Sequence, residues 1–408
     1  MEVLYPRCAG LDVHKATVVA CVRLAHGPES EHHVQTFGTT TGGLLRLLDF
    51  LQQHGCTHVA MEASGVYWKP IWHVLEDSFA LTLGNAAHIK NVPGRKTDVN
   101  DAMWLADLMA HGLIRASFVP PTPIQELRAL TRTRKQLVRE QVSHVQRVQK
   151  VLEDANIKMS SVMTDVLGKS GRAILEAIIG GESDPEKLAD LAVGKLRRKR
   201  DALVESLHGR VTAHHRFLLG LHLAQIAALD AGISAIEGEV SAQLEPFRPA
   251  VELLKTMPGI SDTVAHVILA EIGIDMTRFA DASHLRSWAG LCPRNDESAG
   301  KRRSTRLRKG APWLKTTLVQ AAWAAVAVKD SYLRGQFLRL KARRGPKKAI
   351  LAVAASMITA CYYMLRDGVV YHDLGIDYFG LADKQKTTTR LVRRLQGLGY
   401  DVELKPAA

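Results

Sequence analysis

The stretch that decides the fold of the first hundred residues is CAGLDVHKATVVACVRL, residues 8–24. Two apolar runs, rich in Val, Ala and Leu, lie on either side of the polar step DVHK. Runs of this length and composition around a polar turn indicate two β-strands. A third strand is predicted in HHVQTFGT, residues 32–39.

Beyond these strands, helix and strand patterns alternate. TTTGGLLRLLDFLQQHG predicts a helix with a threonine cap and a stop at Gly55. The remaining segments are a strand (58–63), a helix (66–78), a strand (80–85) and a helix (98–112). Three opening strands followed by alternating helices and strands are typical of an α/β domain with a mixed sheet.

After the PPTP step at residues 120–123 the pattern becomes helical. Residues 124–167 contain no Gly or Pro, and their apolar residues recur at helical spacing. A second amphipathic run, about 218–244, is expected to fold back on the first as a helical hairpin or coiled coil, with an insert at about 160–215. Such an element is more typical of oligomerisation than of catalysis.

Near residue 246 the composition changes again. MPGI, residues 257–260, resembles the turn of a helix-hairpin-helix, in which a helix start faces a phosphate, although plain helix connectors share the pattern. We predict further helices at 312–329, 331–343 and in the apolar stretch 349–365, then an irregular tail. The predicted domains are 1–118 (α/β), 119–248 (helical), 249–367 (mainly helical) and 368–408 (tail).

Charge and composition limit the classes of partner that this chain is expected to bind. The 408 residues carry a formal charge of +13, with a pI near 9.6, which favours a polyanionic partner. We find no apolar run of the roughly 20 residues that a membrane span requires, and no signal peptide pattern. The five cysteines are scattered and never form CxxC, which argues against a zinc site or disulfide frame and suits a reducing cytoplasm.

Four carboxylates occupy informative places in the first domain. Asp12 ends the first strand, Glu62 ends the fourth, and Asp98 and Asp101 open the last helix three residues apart. Strand ends on neighbouring strands, beside a helix start, can bring all four together. Clustered carboxylates repel unless a cation bridges them, and hard oxygen ligands suit Mg²⁺ or Mn²⁺. Two such ions can assist phosphoryl transfer.

Each carboxylate also has a structural interpretation. Asp98 can serve as a helix N-cap, and Asp101 can compensate the helix dipole in the first turn. Asp12 and Glu62 can simply be solvated residues at strand ends. The predicted strand order places all four on one rim, which favours the metal site over four independent structural roles.

The strand order and carboxylates form a ribonuclease-H-like pattern. Together with AGLDVHK, MEASGVYW, GRKTDVNDA, MPGI…AEIG, WAGLCPRNDESAGKRR and RRGPKKAI in this order, the chain resembles the DEDD transposases of insertion-sequence family 110, and more closely its branch 1111. The resemblance covers about residues 8–380. It implies a RuvC-like nuclease domain, a coiled-coil linker, and a C-terminal transposase domain with a nucleophilic serine.

Carried over onto this sequence, the DEDD set falls on Asp12, Glu62, Asp98 and Asp101, and the serine on Ser298. Many members have Gly directly after the serine, whereas Ala299 intervenes here, so Ser304 remains an alternative nucleophile. The resemblance implies a metal-assisted serine attack that leaves a covalent phosphoserine link to DNA.

The resemblance also implies the partners. They are donor and target DNA, an element-encoded guide (bridge) RNA that pairs with both, and further copies of the chain in a tetramer, a dimer of dimers in which one subunit's serine meets another's carboxylates. The expected location is the bacterial cytoplasm, at the nucleoid.

Cationic residues are candidate nucleic-acid contacts, although a solvated surface explains each one equally well. Arg128, Arg132, Arg134, Lys135 and Arg139 lie on the long helix, and a cationic run spans residues 197–200. The contacts predicted nearer the site are Lys15, Arg95, Lys96, Gly259, Arg294, Lys301, Arg302, Arg303, Arg306, Arg308, Lys309, Arg343, Arg344, Lys347 and Lys348.

Three other functions fit part of the pattern. A RuvC-type nuclease or junction resolvase that uses water explains the carboxylates but not the C-terminal domain. A sugar-kinase-like ATPase shares the opening turn, yet needs a second Gly-rich phosphate loop that the sequence does not show. A nucleic-acid-binding relic without catalysis does not need the complete carboxylate set.

Overall fold

A computed structural model describes residues 2–26, 29–89, 101–293, 296–298, 300–304, 306–307 and 310–405. The chain divides into two compact units, Met1–Val119 and Pro120–Ala408. The first unit is α/β and the second is mainly helical, as the sequence predicts.

Unit 1 is built on one five-stranded mixed sheet. Its strands are β1 (Arg7–Val13), β2 (Thr17–His26), β3 (Glu29–Gly38), β4 (His58–Glu62) and β5 (Ala80–Gly84). Its helices are α1 (Thr41–Gln53), α2 (Trp68–Leu75), α3 (Ala86–Ile89) and α4 (Asp101–Ala110). The strand order is β3-β2-β1-β4-β5. The β1–β2 and β2–β3 pairs are antiparallel, and the β1–β4 and β4–β5 pairs are parallel, which confirms the predicted mixed sheet.

The two faces of the sheet are covered by different helices. Leu11, Val59 and Met61 point into the main core together with apolar residues of α1 and α2. Cys8 and Ala60 alternate with them and pack against α4 on the opposite face. The predicted threonine cap of α1 is confirmed, because the side chain of Thr40 accepts a hydrogen bond from the Gly43 amide.

Unit 2 contains thirteen helices and two short strands among its described residues. The helices of its first part are α5 (Thr122–Asp154), α6 (Met159–Val162), α7 (Lys169–Ile179), α8 (Pro185–Asp190), α9 (Arg200–Leu207) and α10 (Ala213–Gln243). Those of its second part are α11 (Arg248–Lys255), α12 (Asp262–Ile272), α13 (Ala282–Trp288), α14 (Pro312–Ala325), α15 (Tyr332–Arg344), α16 (Pro346–Asp367) and α17 (Tyr378–Gln396). The strands are β6 (Asp296–Ser298) and β7 (Lys301–Ser304).

The two long helices α5 and α10 form the predicted helical hairpin. They pack against each other over much of their lengths, and Arg134 on α5 pairs with Glu237 on α10. At the far end of the hairpin, α6 to α9 form a small lobe with its own apolar core, which includes Val148, Ile174 and Leu203. Whether copies of this hairpin form a coiled coil with one another stays a prediction.

The second part of unit 2 is arranged around α16, the predicted apolar helix, which packs against α13, α14 and α15 and is confirmed as a core helix. The expectation of an irregular tail is wrong, because residues 378–396 form α17. Its start is fixed by aromatic contacts: Phe379 stacks on Tyr332 at 4.9 Å, and Arg339 lies over the Phe379 ring. The run of three threonines disguised this helix in the sequence, since Thr is a weak helix former.

Two of the described helices, α10 and α16, are long and apolar enough to cross a membrane, with mean hydropathies of 1.5 and 1.6. The expectation that the chain has no such run is therefore wrong, because isolated polar residues such as Gln225 interrupt the run without lowering its average much. Length and composition do not establish a span, since core helices of soluble proteins pass the same test. Half of the apolar window of α16 is buried within unit 2.

Candidate active site

Two of the predicted carboxylates, Asp12 and Glu62, are neighbours where the parallel strands β1 and β4 end; this edge of the sheet is here called the acidic edge. Gly10 of β1 pairs with Ala60 of β4, and Leu11 pairs with Met61, so the parallel register brings Asp12 next to Glu62. Because side chains alternate between the faces of a strand, Asp12 and Glu62 lie on the face of Cys8 and Ala60, the one covered by α4. The side chain of Asp12 is about one quarter exposed (26%).

The third carboxylate is brought to the same edge by α4. Gly10 makes this possible: a Cβ at this position would lie 2.2 Å from the carbonyl oxygen of Ala102, so only glycine allows the helix to lie so close to β1. The other end of α4 lies near the start of β1, where the Leu4 amide donates to the Ala110 carbonyl at 2.8 Å. The helix therefore runs antiparallel to β1 and begins, with Asp101, at the end of the strand that carries Asp12.

A partly buried ion pair holds α4 on the sheet. Arg23 of β2 donates from Nε to Asp107 of α4 at 3.0 Å, and His32 of β3 contacts the same carboxylate oxygen at 3.3 Å. The Arg23 side chain is only 9% exposed, and its Nη1 has no partner among the described residues. Burial of a guanidinium is costly unless it is paired, so this contact helps to fix the orientation of α4 relative to β1 and β4.

Two polar side chains next to the carboxylates were missed by the sequence reasoning. The Nε2 atom of His14 lies 3.1 Å from the Oδ2 atom of Asp12. Its signal was present in the sequence, since His14 follows Asp12 by two residues at the same strand end. Ser64 follows Glu62 by two residues, and its hydroxyl is buried without a partner among the described residues.

The described residues do not test the metal prediction. Asp98, like Arg95 and Lys96, lies outside them. Among the residues described, no group of three His, Cys, Asp or Glu side chains is placed to hold a metal ion. The donors at this edge are nevertheless carboxylates, which are the ligands that Mg²⁺ and Mn²⁺ prefer. The DEDD metal site therefore stays a prediction, with Asp12 and Glu62 as the adjacent pair at its centre.

The segment of unit 2 that contains Ser298 and Ser304 forms a β-hairpin of β6 and β7, here called the serine hairpin, where the sequence had suggested a basic loop. In the backbone register Ser298 pairs with Lys301, Glu297 with Arg302, and Asp296 with Ser304, with an irregularity beside Asp296. Ser298 is thus next to the hairpin turn, whereas Ser304 lies nearer its base. Gly300 in the turn has a φ of +72°, a conformation that favours glycine.

The base of the hairpin is fixed by a close backbone contact. Pro293 and Leu307 form an isolated bridge. A Cβ on Gly310 would lie 2.4 Å from the Cα of Gly290, so these two glycines allow the outgoing and returning chains to touch. Lys301 and Arg306 are exposed. Of the other predicted contacts in this segment, Arg294, Arg308 and Lys309 lie outside the described residues, and for Arg302 and Arg303 only the backbone is described.

The helix that follows the hairpin is attached to α5 by cations around Trp313. Arg139 lies 5.3 Å from the centre of the Trp313 ring, Arg132 5.8 Å and Lys135 5.9 Å. Lys135 also donates to the hydroxyl of Thr316 on the same helix. Cations at this distance over a tryptophan face are attracted by the ring, so the start of α14 is held against α5.

Arg128 and Arg132, which the sequence had suggested as nucleic-acid contacts, are used within unit 2. Arg132 binds both carboxylate oxygens of Glu271 on α12, at 2.8 and 2.9 Å, and Glu271 is completely buried. Arg128 donates to the carbonyls of Ala270 and Glu271, and burial lowers its pKa to about 10, against the opposing effect of Glu271. The nucleic-acid interpretation of these two arginines is not supported, because their donors are turned to α12.

The MPGI turn joins α11 and α12 as expected, but its glycine has a packing role. Gly259 has a φ of +84°, and a Cβ there would lie 2.4 Å from the Ala321 carbonyl of α14. Asp262 in the first turn of α12 pairs with Lys255 at 2.8 Å. An acid at a helix start disfavours a phosphate there. Both observations favour the plain-connector interpretation, and the helix-hairpin-helix assignment of Gly259 stays a prediction.

The remaining predicted contacts are exposed. Arg343, Arg344, Lys347 and Lys348 surround the junction of α15 and α16, and all four are exposed. Lys15 is exposed in the turn between β1 and β2, close in sequence to Asp12. Exposure leaves these positions accessible to a ligand, and their contact with nucleic acid stays a prediction.

Comparison with known protein families shows which class of protein has these residues. A transposase model of the IS110 DEDD type matches residues 9–157, which include the carboxylates. A model described as "Transposase IS116/IS110/IS902 family" matches residues 251–337, which include the serine hairpin. The first match covers most of unit 1 and continues through α5 of unit 2, the second lies within unit 2, and residues 158–250 lie between them.

Individual relatives agree with these models. The chain is 34% identical over 139 residues to the insertion element IS110 uncharacterized 43.6 kDa protein of Streptomyces coelicolor, a match that spans 34% of each protein. It is 26% identical over 331 residues to the insertion element IS900 uncharacterized 42 kDa protein of Mycobacterium paratuberculosis, over 72% of this chain and 80% of the relative. It is 25% identical over 334 residues to the insertion element IS116 uncharacterized 44.8 kDa protein of Streptomyces clavuligerus, over 71% and 79%.

An acidic sheet edge in an α/β unit, followed by a helical unit that matches a second transposase model, defines the chain as an insertion-sequence transposase. The matched domains and the relatives place it more narrowly. The chain belongs to the IS110 family of DEDD transposases.

Proposed function

We propose that this transposase cuts and rejoins DNA by serine attack on the scissile phosphate, assisted by Mg²⁺ or Mn²⁺ bound at the acidic edge of unit 1. The single observation that carries the proposal is the register of β1 and β4, which makes Asp12 and Glu62 neighbours on the face where α4 begins. Two carboxylates side by side repel each other, and a divalent cation removes that cost.

The protein residues in this scheme have separate tasks. Asp12, Glu62, Asp98 and Asp101 would hold the metal, which when bound supplies charge to stabilise the phosphoryl transition state. The Oγ atom of Ser298 forms a bond to phosphorus while the bond from phosphorus to the leaving oxygen of the DNA breaks. The serine proton is given up to a base, and the leaving oxygen ends as a free hydroxyl. One phosphodiester replaces another, so the step needs no ATP and its reversal rejoins a strand.

Ser298 is preferred to Ser304 because of its position in the hairpin. Ser298 is the last residue of β6, beside the turn, whereas Ser304 pairs with Asp296 further back. A residue at the turn of a hairpin reaches a separate site more easily than one at its base. The proposal includes the trans arrangement, in which the hairpin of one subunit serves the acidic edge of another.

An assembly of several copies is supported by the outward face of α10. Exposed residues recur along it with alternating steps of four and three, the spacing of a coiled-coil seam. Phe217 is 69% exposed and Leu221 45% exposed. The full stripe consists of Phe217, Leu221, Ala224, Ala228, Ala231, Ala235 and Gly238. We propose that copies associate through this face and that the active form is a tetramer.

We further propose that an element-encoded bridge RNA selects the donor and target DNA, with the protein acting in the bacterial cytoplasm at the nucleoid. The support is the formal charge of +13 and the exposed cations at the junction of α15 and α16. When base pairing reads the sequence, the protein needs only to contact backbone and duplex shape.

Metal-dependent strand cleavage tests the proposal. Labelled junction DNA is incubated with the purified protein and its copurifying RNA in Mg²⁺, in Mn²⁺ or in a chelator. We expect cleavage only with metal, and its loss in Asp12→Asn and Glu62→Gln. Asp49→Asn, which removes an exposed carboxylate on α1, is the matched control and should cleave normally. Cleavage by Asp12→Asn at the normal rate contradicts the proposal.

The acidic edge would serve a nuclease that uses water equally well. The two functions differ in the product, because serine attack leaves DNA attached to protein and hydrolysis does not. Covalent attachment is therefore the decisive observable between them.

A further inference from the structure

The small lobe formed by α6 to α9 contains a cavity of about 310 Å³ between the start of α7 and a 3₁₀ turn at Gly194–Lys199. Its polar lining includes Asp165, Lys169, Ser170, Lys195 and Lys199. This lobe lies between the two regions that the transposase models match. We propose that this cavity, here called the cationic pocket, binds a phosphodiester group of a nucleic-acid backbone; the inference rests on the proposed function only in assuming a nucleic-acid partner.

The charge of the pocket is the first argument. Three lysines line the pocket, and all three are exposed. Two more exposed cations, Arg197 and Arg198, belong to the same 3₁₀ turn. Within the described range 101–293, none of these five side chains forms an ion pair with a carboxylate. Cations that are concentrated without counter-charges favour a polyanionic ligand.

The other cations of the lobe provide the contrast. Lys158 pairs with Glu153, Arg172 with Asp230 at 2.9 Å, Lys187 with Glu182 at 3.8 Å and Arg200 with Asp190 at 2.7 Å. These four cations each have a carboxylate partner, whereas the five around the cavity have none among the residues described. The contrast supports a site that keeps its positive charge available to a ligand.

The walls of the pocket supply neutral donors and fix its shape. The Val193 amide donates to the hydroxyl oxygen of Ser170 at 3.0 Å, which ties the 3₁₀ turn to α7 and leaves the hydroxyl hydrogen able to donate to a ligand. Lys199 donates to the Val162 carbonyl at 3.2 Å, so its ammonium is held at the rim with two further N–H groups. Gly168 precedes α7 and provides no side-chain cap, so donors at this wall come from Ser170 and the lysines.

The single acid in the pocket does not cancel this charge. Asp165 accepts a hydrogen bond from the Leu167 amide at 3.0 Å, which engages its carboxylate in the loop before α7. Against three lysines it leaves a positive balance. A cavity of this size is at the lower end of sites for small ligands, which suits one phosphate with its neighbouring sugars better than a whole duplex.

The test compares two triple variants in a binding assay without cleavage. The pocket variant is Lys169→Gln/Lys195→Gln/Lys199→Gln, and the matched control is Lys158→Gln/Lys187→Gln/Arg200→Gln, which removes the same charge from the same lobe. Binding of the full chain to labelled duplex DNA and to labelled hairpin RNA is measured by anisotropy in a chelator, over a range of salt. In a chelator, failure of the catalytic proposal leaves this result untouched.

We expect the pocket variant to bind roughly tenfold more weakly at physiological salt, with a smaller salt dependence, because each lost phosphate contact lowers the log–log slope by about 0.9 for duplex DNA and about 0.7 for single strands. The control should change little. Loss with DNA only or RNA only identifies the source of the phosphate, and loss with both supports a shared contact. Equal weakening of binding in both variants, or no weakening in either, would contradict the proposal that the cationic pocket binds a phosphodiester group.

A second measurement uses the unmodified protein and so does not depend on the folding of a variant. Lysine acetylation is followed by mass spectrometry with and without nucleic acid. The pocket lysines should be protected by the ligand at least several-fold more than Lys158 and Lys187. Protection that does not differ between the two groups contradicts the proposal.

Discussion

The acidic edge of unit 1 and the serine hairpin of unit 2 are positioned by different forces. At the acidic edge the backbone decides: strand register places Asp12 beside Glu62, and the bare Cα of Gly10 admits the start of α4. The base of the hairpin also depends on a backbone contact, between Gly290 and Gly310. The helices in this part of unit 2 are in addition joined to α5 by side-chain charges, since Glu271 anchors α12 and three cations lie over Trp313 of α14. Metal ligands need rigid geometry, whereas a nucleophile that must reach another site benefits from a place at the turn of a hairpin.

The largest effect is expected at Glu271 of unit 2, whose side-chain charge holds α12 against α5. Glu271→Ala leaves the mostly buried Arg128 (15% exposed) and the partly exposed Arg132 (37% exposed) without their carboxylate. Because Arg132 can turn to water, we expect the free energy of unfolding to fall by about 3 kcal/mol, the lower end of the range for breaking a buried pair. Denaturant unfolding of unit 2 measures it. Glu252→Ala, which removes an exposed partner of Lys255, is the control and should cost about 1 kcal/mol or less. Similar losses in both variants would show that the buried pair does not anchor α12.

The next largest effect is expected at Gly10, whose backbone contact with α4 positions the acidic edge of unit 1. Gly10→Val places a branched side chain against Ala102 and Leu105, and overpacking of this kind costs about 1–3 kcal/mol or more. We expect unit 1 to unfold at lower denaturant, and metal-dependent cleavage to fall with it. Gly38→Ala, where a Cβ would meet nothing within 4 Å, should be nearly neutral. A stable Gly10→Val protein with normal cleavage would mean that α4 does not need its close approach to β1.

A smaller effect is expected at the hairpin turn. Gly300 has a positive φ with open space around its Cα, so Gly300→Ala costs only the left-handed strain of about 1–2 kcal/mol. Since the hairpin is local, we expect a reduced rate of covalent attachment with unchanged global unfolding. Gly368→Ala, at a left-handed position (φ +67°, ψ +27°) with open space after α16, is the matched control and should leave attachment unchanged.

Much of this comparison was predictable from the sequence. Alternating apolar runs predicted the mixed sheet, and the acids at strand ends predicted the Asp12–Glu62 pair, because both signals are local. Glu271 was not predictable as a buried anchor, since its partner Arg132 lies 139 residues away on another helix. The strands of the hairpin are three and four residues long, too short for a periodic signal, and the start of α17 depends on an aromatic contact with Tyr332.

The smallest effect is a pH dependence in unit 2. Burial lowers the pKa of His266 below its usual 6.5, so the unfolded chain takes up the proton first as the pH falls. The folded state therefore loses stability below about pH 6.5 and is unaffected above it. We expect the difference in midpoint between pH 7.5 and 5.5 to shrink in His266→Gln. An unchanged difference would show that this histidine does not contribute to the acid sensitivity.

The central claim is that a serine on the hairpin attacks DNA, and covalent trapping tests it most directly. The full-length protein with its copurifying RNA is mixed with labelled junction DNA and Mg²⁺, denatured, and separated on a gel. The account predicts a protein–DNA adduct that survives denaturation, disappears in Ser298→Ala and persists in Ser304→Ala. Cleavage without any adduct, abolished by Asp12→Asn but not by Ser298→Ala, would contradict it and identify a nuclease that uses water.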